Sequence, residues 1–314
     1  MKYKRIIINS IEKYNILSPI KIYGGKEVYM IVAKDWKDYE ILDMANGEKL
    51  ERWGNIILIR PDPQIIWNKK SKPELWKKAN AHYHRSKSGG GEWEYIKNVP
   101  KSWQIKYKDL CFNLKPMGFK HTGLFPEQAV NWDFMINKIK NANRPINVLN
   151  LFAYTGGATV ACLSAGASVC HVDSSKGMTA WAKENVNSSG LSDKKVRFII
   201  DDVVKFVQRE IRRGNKYDAI VMDPPSYGRG ANGEVWNIEE SLYMLVELCT
   251  KVLSDKPLFF LINSYTTGLA PTILANVLQM NISAKGKISS GEIGIPQKDS
   301  KLILPCGIYG RWEE

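Results

Sequence analysis

The stretch VLNLFAYTGGATVACLSAGASVCHVD, Val148 to Asp173, holds an apolar run, a loop with a glycine pair, a short apolar segment of helix length, and a second run closed by an acid. The first run predicts a strand over Ile146 to Phe152 and the second a strand over Ser168 to Asp173, with a helix over Ala158 to Ala165 between them. The pattern continues outward on both sides. A helical period covers Pro126 to Ala142 upstream. Downstream come a helix over Lys176 to Asn187, a strand over Val196 to Asp201 and a helix over Val203 to Arg213. A strand over Tyr217 to Asp223, a helix over Ile238 to Leu253, a strand over Pro257 to Asn263 and a helix over Ala270 to Met280 complete the series. Strand-helix repeats of this kind predict a parallel sheet covered on both faces, an α/β fold whose ligands bind at the carboxyl ends of the strands.

The chain before this region has another rhythm. Residues 20 to 62 alternate short β-type runs with turn residues such as Gly24-Gly25 and Asn46-Gly47, which reads as a small, mostly antiparallel β domain. SKSGGGE, Ser86 to Glu92, has the composition of a linker or loop, and Trp103 to Leu114 reads as a hairpin. At 314 residues, two domains are expected. Five scattered cysteines without a CxxC pair suit a reducing cytosol, so a cytoplasmic protein is expected. The opening MKYKRIIINS lacks the apolar core and small-residue cleavage site of a signal peptide. The uncharged stretch Pro257 to Ala284 is broken by polar residues, so no membrane span is expected.

The net charge of +13 is unevenly placed. Residues 1 to 150 hold 27 Lys and Arg against 15 Asp and Glu, an excess of 12, whereas residues 151 to 314 hold 18 against 17. The densest basic segment, Ile66 to Lys87 (IWNKKSKPELWKKANAHYHRSK), offers Lys69, Lys70, Lys77, Lys78 and Arg85 to phosphates and Trp76 as a surface for an unpaired base. The alternative is a solvated basic face with half-buried tryptophans. His82 and His84 have no cysteine or acid at metal spacing beside them in the sequence, so no metal site is expected.

The strand ends carry a cofactor pattern. Gly156-Gly157 allows close backbone approach, and the helix behind it favours an anion. Asp173 can accept both hydroxyls of a ribose, and Asp201 and Asp202 can meet an adenine amine. No GxGxxG is present to cradle a pyrophosphate, which points to S-adenosylmethionine. The chain resembles the class I methyltransferases in this stretch. It is most similar to the large-subunit ribosomal RNA methyltransferases, which carry NLFAYTGG, and HTGLFPEQ, IIDDVVKFV and DPPSYGRG extend the likeness over roughly Cys111 to Trp312. The resemblance implies a Rossmann-like methyltransferase domain over 126–314, joined by a hairpin over 101–125 to an RNA-binding β domain over 1–100. It implies cofactor contacts from Phe125, Gln128, Asn150, Tyr154, Thr155, Gly156, Gly157, Asp173, Ser174 and Asp202. The family's arginine is replaced by Ala129.

Asp223-Pro224-Pro225-Ser226-Tyr227 closes the fourth strand. Asp223 and the Pro224 carbonyl can accept hydrogen bonds from an amine or ring N–H, the prolines stiffen the turn, and Tyr227 can stack on a flat substrate. Arg229 could meet a phosphate or sit in a mobile loop capped by Gly233, and Trp236 could cover the site or staple the next helix. Methylating carbon 5 of a pyrimidine needs a thiolate. The relatives that do so carry a cysteine after the fifth strand, where this chain has Asn263-Ser264-Tyr265, and Cys306 reads as a small buried residue. These residues point to methyl transfer to a base nitrogen of RNA. Two further functions fit the sequence: methylation of a protein side chain or small metabolite, and a non-catalytic cofactor-binding factor that holds RNA.

Overall fold

A computed structural model describes residues 30–86, 90–229, 233 and 235–314, together with the backbone of 20–21 and 27–28. The chain forms two units, Val32–Ala129 with Gly294–Pro305, and Met1–Ile31 with Val130–Ile293 and Cys306–Glu314. Ahead of the first large sheet lie the short strands β1 (Ile20–Lys21), β2 (Glu27–Val28) and β3 (Met30–Val32).

The first unit is built on a five-stranded sheet of β4 (Tyr39–Ala45), β5 (Glu48–Trp53), β6 (Ile56–Pro61), β7 (Ala81–Arg85) and β8 (Gly91–Tyr95), hydrogen-bonded in that order. Asn46 and Gly47, with φ of 56° and 75°, make the two-residue turn between β4 and β5 that Asn-Gly favours. All its pairings are antiparallel except β6 with β7. The one-turn helix α1 (Pro73–Trp76) lies between those two strands in the chain. β9 (Trp103–Tyr107) and β10 (Leu110–Leu114) form the hairpin expected from the sequence. The glycine-rich segment falls between the antiparallel strands β7 and β8, with residues 87–89 outside the described residues.

A single 3-10 turn (Pro126–Gln128) leads into α2 (Ala129–Asn141). β11 (Asn147–Leu151), α3 (Gly157–Ser164), β12 (Ser168–Asp173), α4 (Lys176–Ser188), β13 (Val196–Ile200), α5 (Val203–Arg212), β14 (Ala219–Met222), α6 (Ile238–Thr250), β17 (Phe259–Ser264) and α7 (Pro271–Asn281) give the expected alternation. Between β14 and α6 stands a short hairpin, β15 (Tyr227–Arg229) with β16 (Val235–Asn237). The sheet runs β13-β12-β11-β14-β17-β19-β18-β3, where β18 (Lys287–Pro296) and β19 (Ile303–Glu313) follow α7. Pairings from β13 to β17 are parallel and β17–β19 is antiparallel. β18 and β19 carry no strand expectation from the sequence.

Successive strand residues point to opposite faces, so Leu149 and Leu151 of β11 enter one core with Ile220, Met222, Phe260 and Ile262. Phe206 and Val207 of α5, Leu242 and Leu245 of α6, and Leu274 and Leu278 of α7 close that core. Each fully buried side chain of this size contributes about 1.5–3 kcal/mol. Ser175, Asp202 and Asn237 cap α4, α5 and α6 by accepting from the backbone N–H of Met178, Lys205 and Glu239. Rigid strands and capped helices fix the loops at the carboxyl edge of the sheet.

Candidate active site

The strand order reverses between β11 and β14, and in open α/β sheets ligands settle at the carboxyl end of such a switch point. The loop from β11 to α3 turns sharply there. Phe152 and Tyr154 both lie in the left-handed region, at φ 52° and 50°, a conformation that costs side-chain-bearing residues of order 1–3 kcal/mol. Hydrogen bonds hold the turn: Ala153 N–H to the Val172 carbonyl (3.0 Å), Tyr154 N–H to Asp173 Oδ2 (2.8 Å), and Asn185 Nδ2 to the Thr155 carbonyl (2.8 Å). The two glycines serve packing as well as turning. A Cβ on Gly156, at φ 82°, would lie 2.9 Å from the Ala182 Cβ, and one on Gly157 would lie 2.9 Å from the Trp132 ring. α3 starts behind Gly156 without a side-chain cap.

Asp173 sits at the end of β12, its Oδ2 accepting from Tyr154 N–H and its Oδ1 from Ser175 N–H at 2.8 Å. Burial raises its carboxyl above the usual aspartate value despite those two bonds. Ser174 is exposed beside it. Asp202 spends Oδ1 on the helix cap, and Asp201 pairs with Arg209. Asn150 turns into the interior: its Nδ2 donates to Thr159 Oγ1 (3.0 Å), which lies 2.9 Å from His171 Nδ1. Burial holds His171 near pKa 3, hence neutral, so this chain is a brace behind the loop.

Across the switch point, β14 ends in the D-P-P turn. Asp223 N–H donates to the Leu151 carbonyl at 3.4 Å, which sets the turn beside the glycine loop. Pro224 is buried and Pro225 exposed. Trp236 donates from Nε1 to the Pro225 carbonyl (2.7 Å), and its ring lies 4.9 Å from that of Phe152. Trp236 therefore braces the D-P-P turn, and it also packs against the core that holds Ile238 and Leu242 of α6. Tyr227 is 57% exposed on β15. Arg229 donates from Nε to the Tyr227 hydroxyl (3.3 Å), and residues 227–229 pair with 235–237 in a hairpin. Gly233 falls within the same connection, with residues 230–232 and 234 outside the described residues. Asn263, next to the turn on β17, accepts from Asn131 Nδ2 (2.8 Å), and Asn131 Oδ1 accepts from Arg311 (2.7 Å). Sequence reading missed Asn131 and Arg311, which lie 180 residues apart.

Phe125, at the start of the 3-10 turn, and Gln128 belong to the first unit, as do Lys69, Lys70, Trp76, Lys77, Lys78 and Arg85. The four lysines and Arg85 are exposed. Trp76 is not available to a base: it is buried, donates from Nε1 to Asp43 Oδ2 (2.8 Å), and lies under the Lys70 ammonium at 4.1 Å. The buried Asp43 also accepts from Ser71 Oγ and Lys72 N–H, so it folds the basic segment around itself. Cys306 is partly exposed on β19, not buried as expected from the sequence. The acid missing beside His82 and His84 in sequence arrives from other strands of the sheet, Glu94 on the adjacent β8 at 2.7 Å from His84 and Glu48 on β5, two strands away, at 2.6 Å from His82.

Residues 77–269 match the family described as S-adenosylmethionine-dependent methyltransferase. This chain belongs to that family. The solved structure of an S-adenosylmethionine-dependent methyltransferase from Agrobacterium tumefaciens is 34% identical, with a TM-score of 0.86 over 90% of this chain and 93% of that one. A methyltransferase solved with SAH shares the fold at 17% identity and a TM-score of 0.68, over 88% of this chain and 76% of its own. The ribosomal RNA large subunit methyltransferase K/L of Shewanella frigidimarina is 35% identical over 145 residues, 46% of this chain and 20% of its own length. The protein of the same name from Colwellia psychrerythraea is 24% identical over 234 residues, 73% of this chain and 29% of its own. The chain thus spans less than a third of these curated relatives. The methyltransferase cofactor agrees with the polar groups at the strand ends: carboxylates at Asp173 and Asp202, and uncapped N–H groups at α3. Among the described residues no helix is long and apolar enough to cross a membrane.

Proposed function

We propose that this methyltransferase modifies RNA, with ribosomal RNA as the substrate and a base nitrogen as the acceptor. The observation that carries the proposal is the D-P-P turn of Asp223, Pro224 and Pro225, set beside the β11–α3 loop by the Asp223 to Leu151 bond, with Tyr227 exposed next to it. Bound S-adenosylmethionine supplies a methyl already activated on a sulfonium, so the protein has to align a nucleophile and exclude water. Asp223 and the Pro224 carbonyl accept hydrogen bonds from the acceptor N–H and turn its lone pair toward the methyl. Tyr227 stacks on the base. Asp173 and Asp202 hold the ribose and adenine ends of the cofactor, Ser174 and the loop Tyr154 to Gly157 line it, and Asn150 braces it from behind.

Three facts favour nitrogen in RNA. Carbon-5 chemistry needs a thiolate, and burial raises the thiols of Cys162, Cys170 and Cys249, that of Cys170 to about 11. β17 ends in Ser264 rather than a cysteine, and this serine is buried and accepts from Thr266 N–H. Lys69, Lys70, Lys77, Lys78 and Arg85 give the first unit exposed cations for phosphates, and the curated relatives are named for ribosomal RNA. The test uses methyl-labelled S-adenosylmethionine and lysate from cells lacking the protein, separated into ribosomal RNA, transfer RNA, protein and small molecules. Label is expected in ribosomal RNA, at a nitrogen after digestion to nucleosides. Label confined to protein or small molecules would replace RNA as the substrate.

A further inference from the structure

At the outer edge of the five-stranded sheet stands a group of side chains with no part in methyl transfer. β8 is the edge strand, and it pairs with β7 so that Glu94 is opposite His82 and Glu92 opposite His84. His82 and His84 are two residues apart on one strand and so share a face. Their ring centroids are 4.0 Å apart. The Nε2 of His84 lies 2.7 Å from Glu94 Oε2, and the Nε2 of His82 lies 2.6 Å from Glu48 Oε1 on the strand β5. One ring nitrogen of each histidine and one oxygen of Glu94 all fall within 4.8 Å of one another. Donors around a tetrahedral zinc ion are roughly 3.4 Å apart, given ligand distances of about 2.0–2.2 Å. Small rotations about side-chain bonds close the difference, since the side chains of His84 and Glu94 are 49% and 59% exposed.

The backbone beneath them is held tightly. Gly91, opposite Arg85, has φ +154°, and a Cβ there would lie 2.1 Å from the His84 carbonyl oxygen, so the two strands approach more closely than a side chain allows. On the reverse face Tyr83 packs edge-on against Trp93 at 5.3 Å.

We infer that His82, His84 and Glu94 form a binding site for a divalent transition ion of the zinc type, with water completing the coordination. Two imidazoles and a carboxylate suit zinc and its neighbours and reject magnesium, which takes an all-oxygen octahedron. Glu48 orients the His82 ring from its far side, the usual partner of a ligating histidine. The ion ties together the outermost two strands of the sheet.

Calorimetric titration of the tag-free, full-length protein with zinc chloride, and separately with magnesium chloride, tests the site. One zinc ion per chain and no magnesium uptake are expected. His84→Asn and Glu94→Gln should each abolish zinc uptake, and Glu48→Gln should weaken it about 10- to 100-fold. His84→Asn and Glu94→Gln should melt at the wild-type temperature when metal-free, as the exposure of these two side chains dictates. Cys306→Ser should leave uptake unchanged. Absence of zinc binding, uptake that survives His84→Asn, loss of uptake in Cys306→Ser, or equal affinity for magnesium would each overturn the site.

Discussion

Asp173 shows how a single half-buried group carries a testable load. Burial raises its carboxyl above the ordinary aspartate value of 3.8, while the N–H groups of Ser175 and Tyr154 pull it back. A folded-state value above the unfolded one means that the folded protein holds this proton more tightly. The group therefore favours the fold at low pH and costs stability as pH rises through the raised value. In the role proposed for Asp173, cofactor binding runs the other way, because only the ionised carboxylate can accept from both ribose hydroxyls. Affinity for S-adenosylmethionine should fall on acidification before an ordinary aspartate would protonate. Asp173→Asn should weaken binding by about 10- to 100-fold, the loss of about 1.5–3 kcal/mol for a charged hydrogen bond, and should flatten that pH dependence in a calorimetric titration. Gly157 makes a separate claim. If its missing side chain serves the Trp132 contact, Gly157→Ala should cost about 1–3 kcal/mol in urea unfolding, and Trp132→Phe should recover part of that loss. An unchanged midpoint with weakened cofactor binding would instead assign the glycine to ligand approach.

At the level of elements, the α/β core was legible because parallel strands buried on both faces leave unbroken apolar runs, and runs such as Ala219–Met222 have one reading. β18 and β19 were not legible: KISSGEIGIP mixes glycine, serine and proline, and its place in the sheet depends on pairing far along the chain. The β15–β16 hairpin is short and polar and was hidden for the same reason. Of the candidate site, the strand-end acids and the D-P-P turn could be read locally. Asn131 and Arg311 could not, since a hydrogen bond across 180 residues leaves no local signal. Trp76 misled because an aromatic among lysines has the same local pattern whether it stacks on a base or on its own core. Its bond to Asp43 decides between them. Trp76→Phe should lower stability by about 1–3 kcal/mol, by leaving an Asp43 oxygen short of a donor, without changing RNA affinity measured by filter binding.

Across the whole molecule, charge is the main lever. In the first unit Glu51 is fully buried with Arg60 at 2.6 Å and the Tyr39 hydroxyl at 2.6 Å. Burial alone would raise its carboxyl, but Arg60, Lys49 and Tyr39 outweigh that and hold it at about 2, below the ordinary 4.5. A lowered folded-state value stabilises above the unfolded pKa and is lost as pH falls, here from about 4.5 toward about 2. Glu51→Gln should cost about 3–5 kcal/mol near neutral pH by leaving Arg60 buried without its partner, and should remove the acid sensitivity in that window when unfolding is followed between pH 3 and 7. The exposed lysines of the same unit bear on substrate choice, since an RNA substrate is released as salt rises and a small neutral one is not. The central claim joins the D-P-P turn to the chemistry and the strand-end acids to the cofactor. It is tested most directly by Asp223→Ala, with methyl transfer to RNA and calorimetric S-adenosylmethionine binding measured on the same preparation. Transfer is expected to disappear while cofactor affinity stays near wild type; transfer that persists would remove the D-P-P turn from the mechanism.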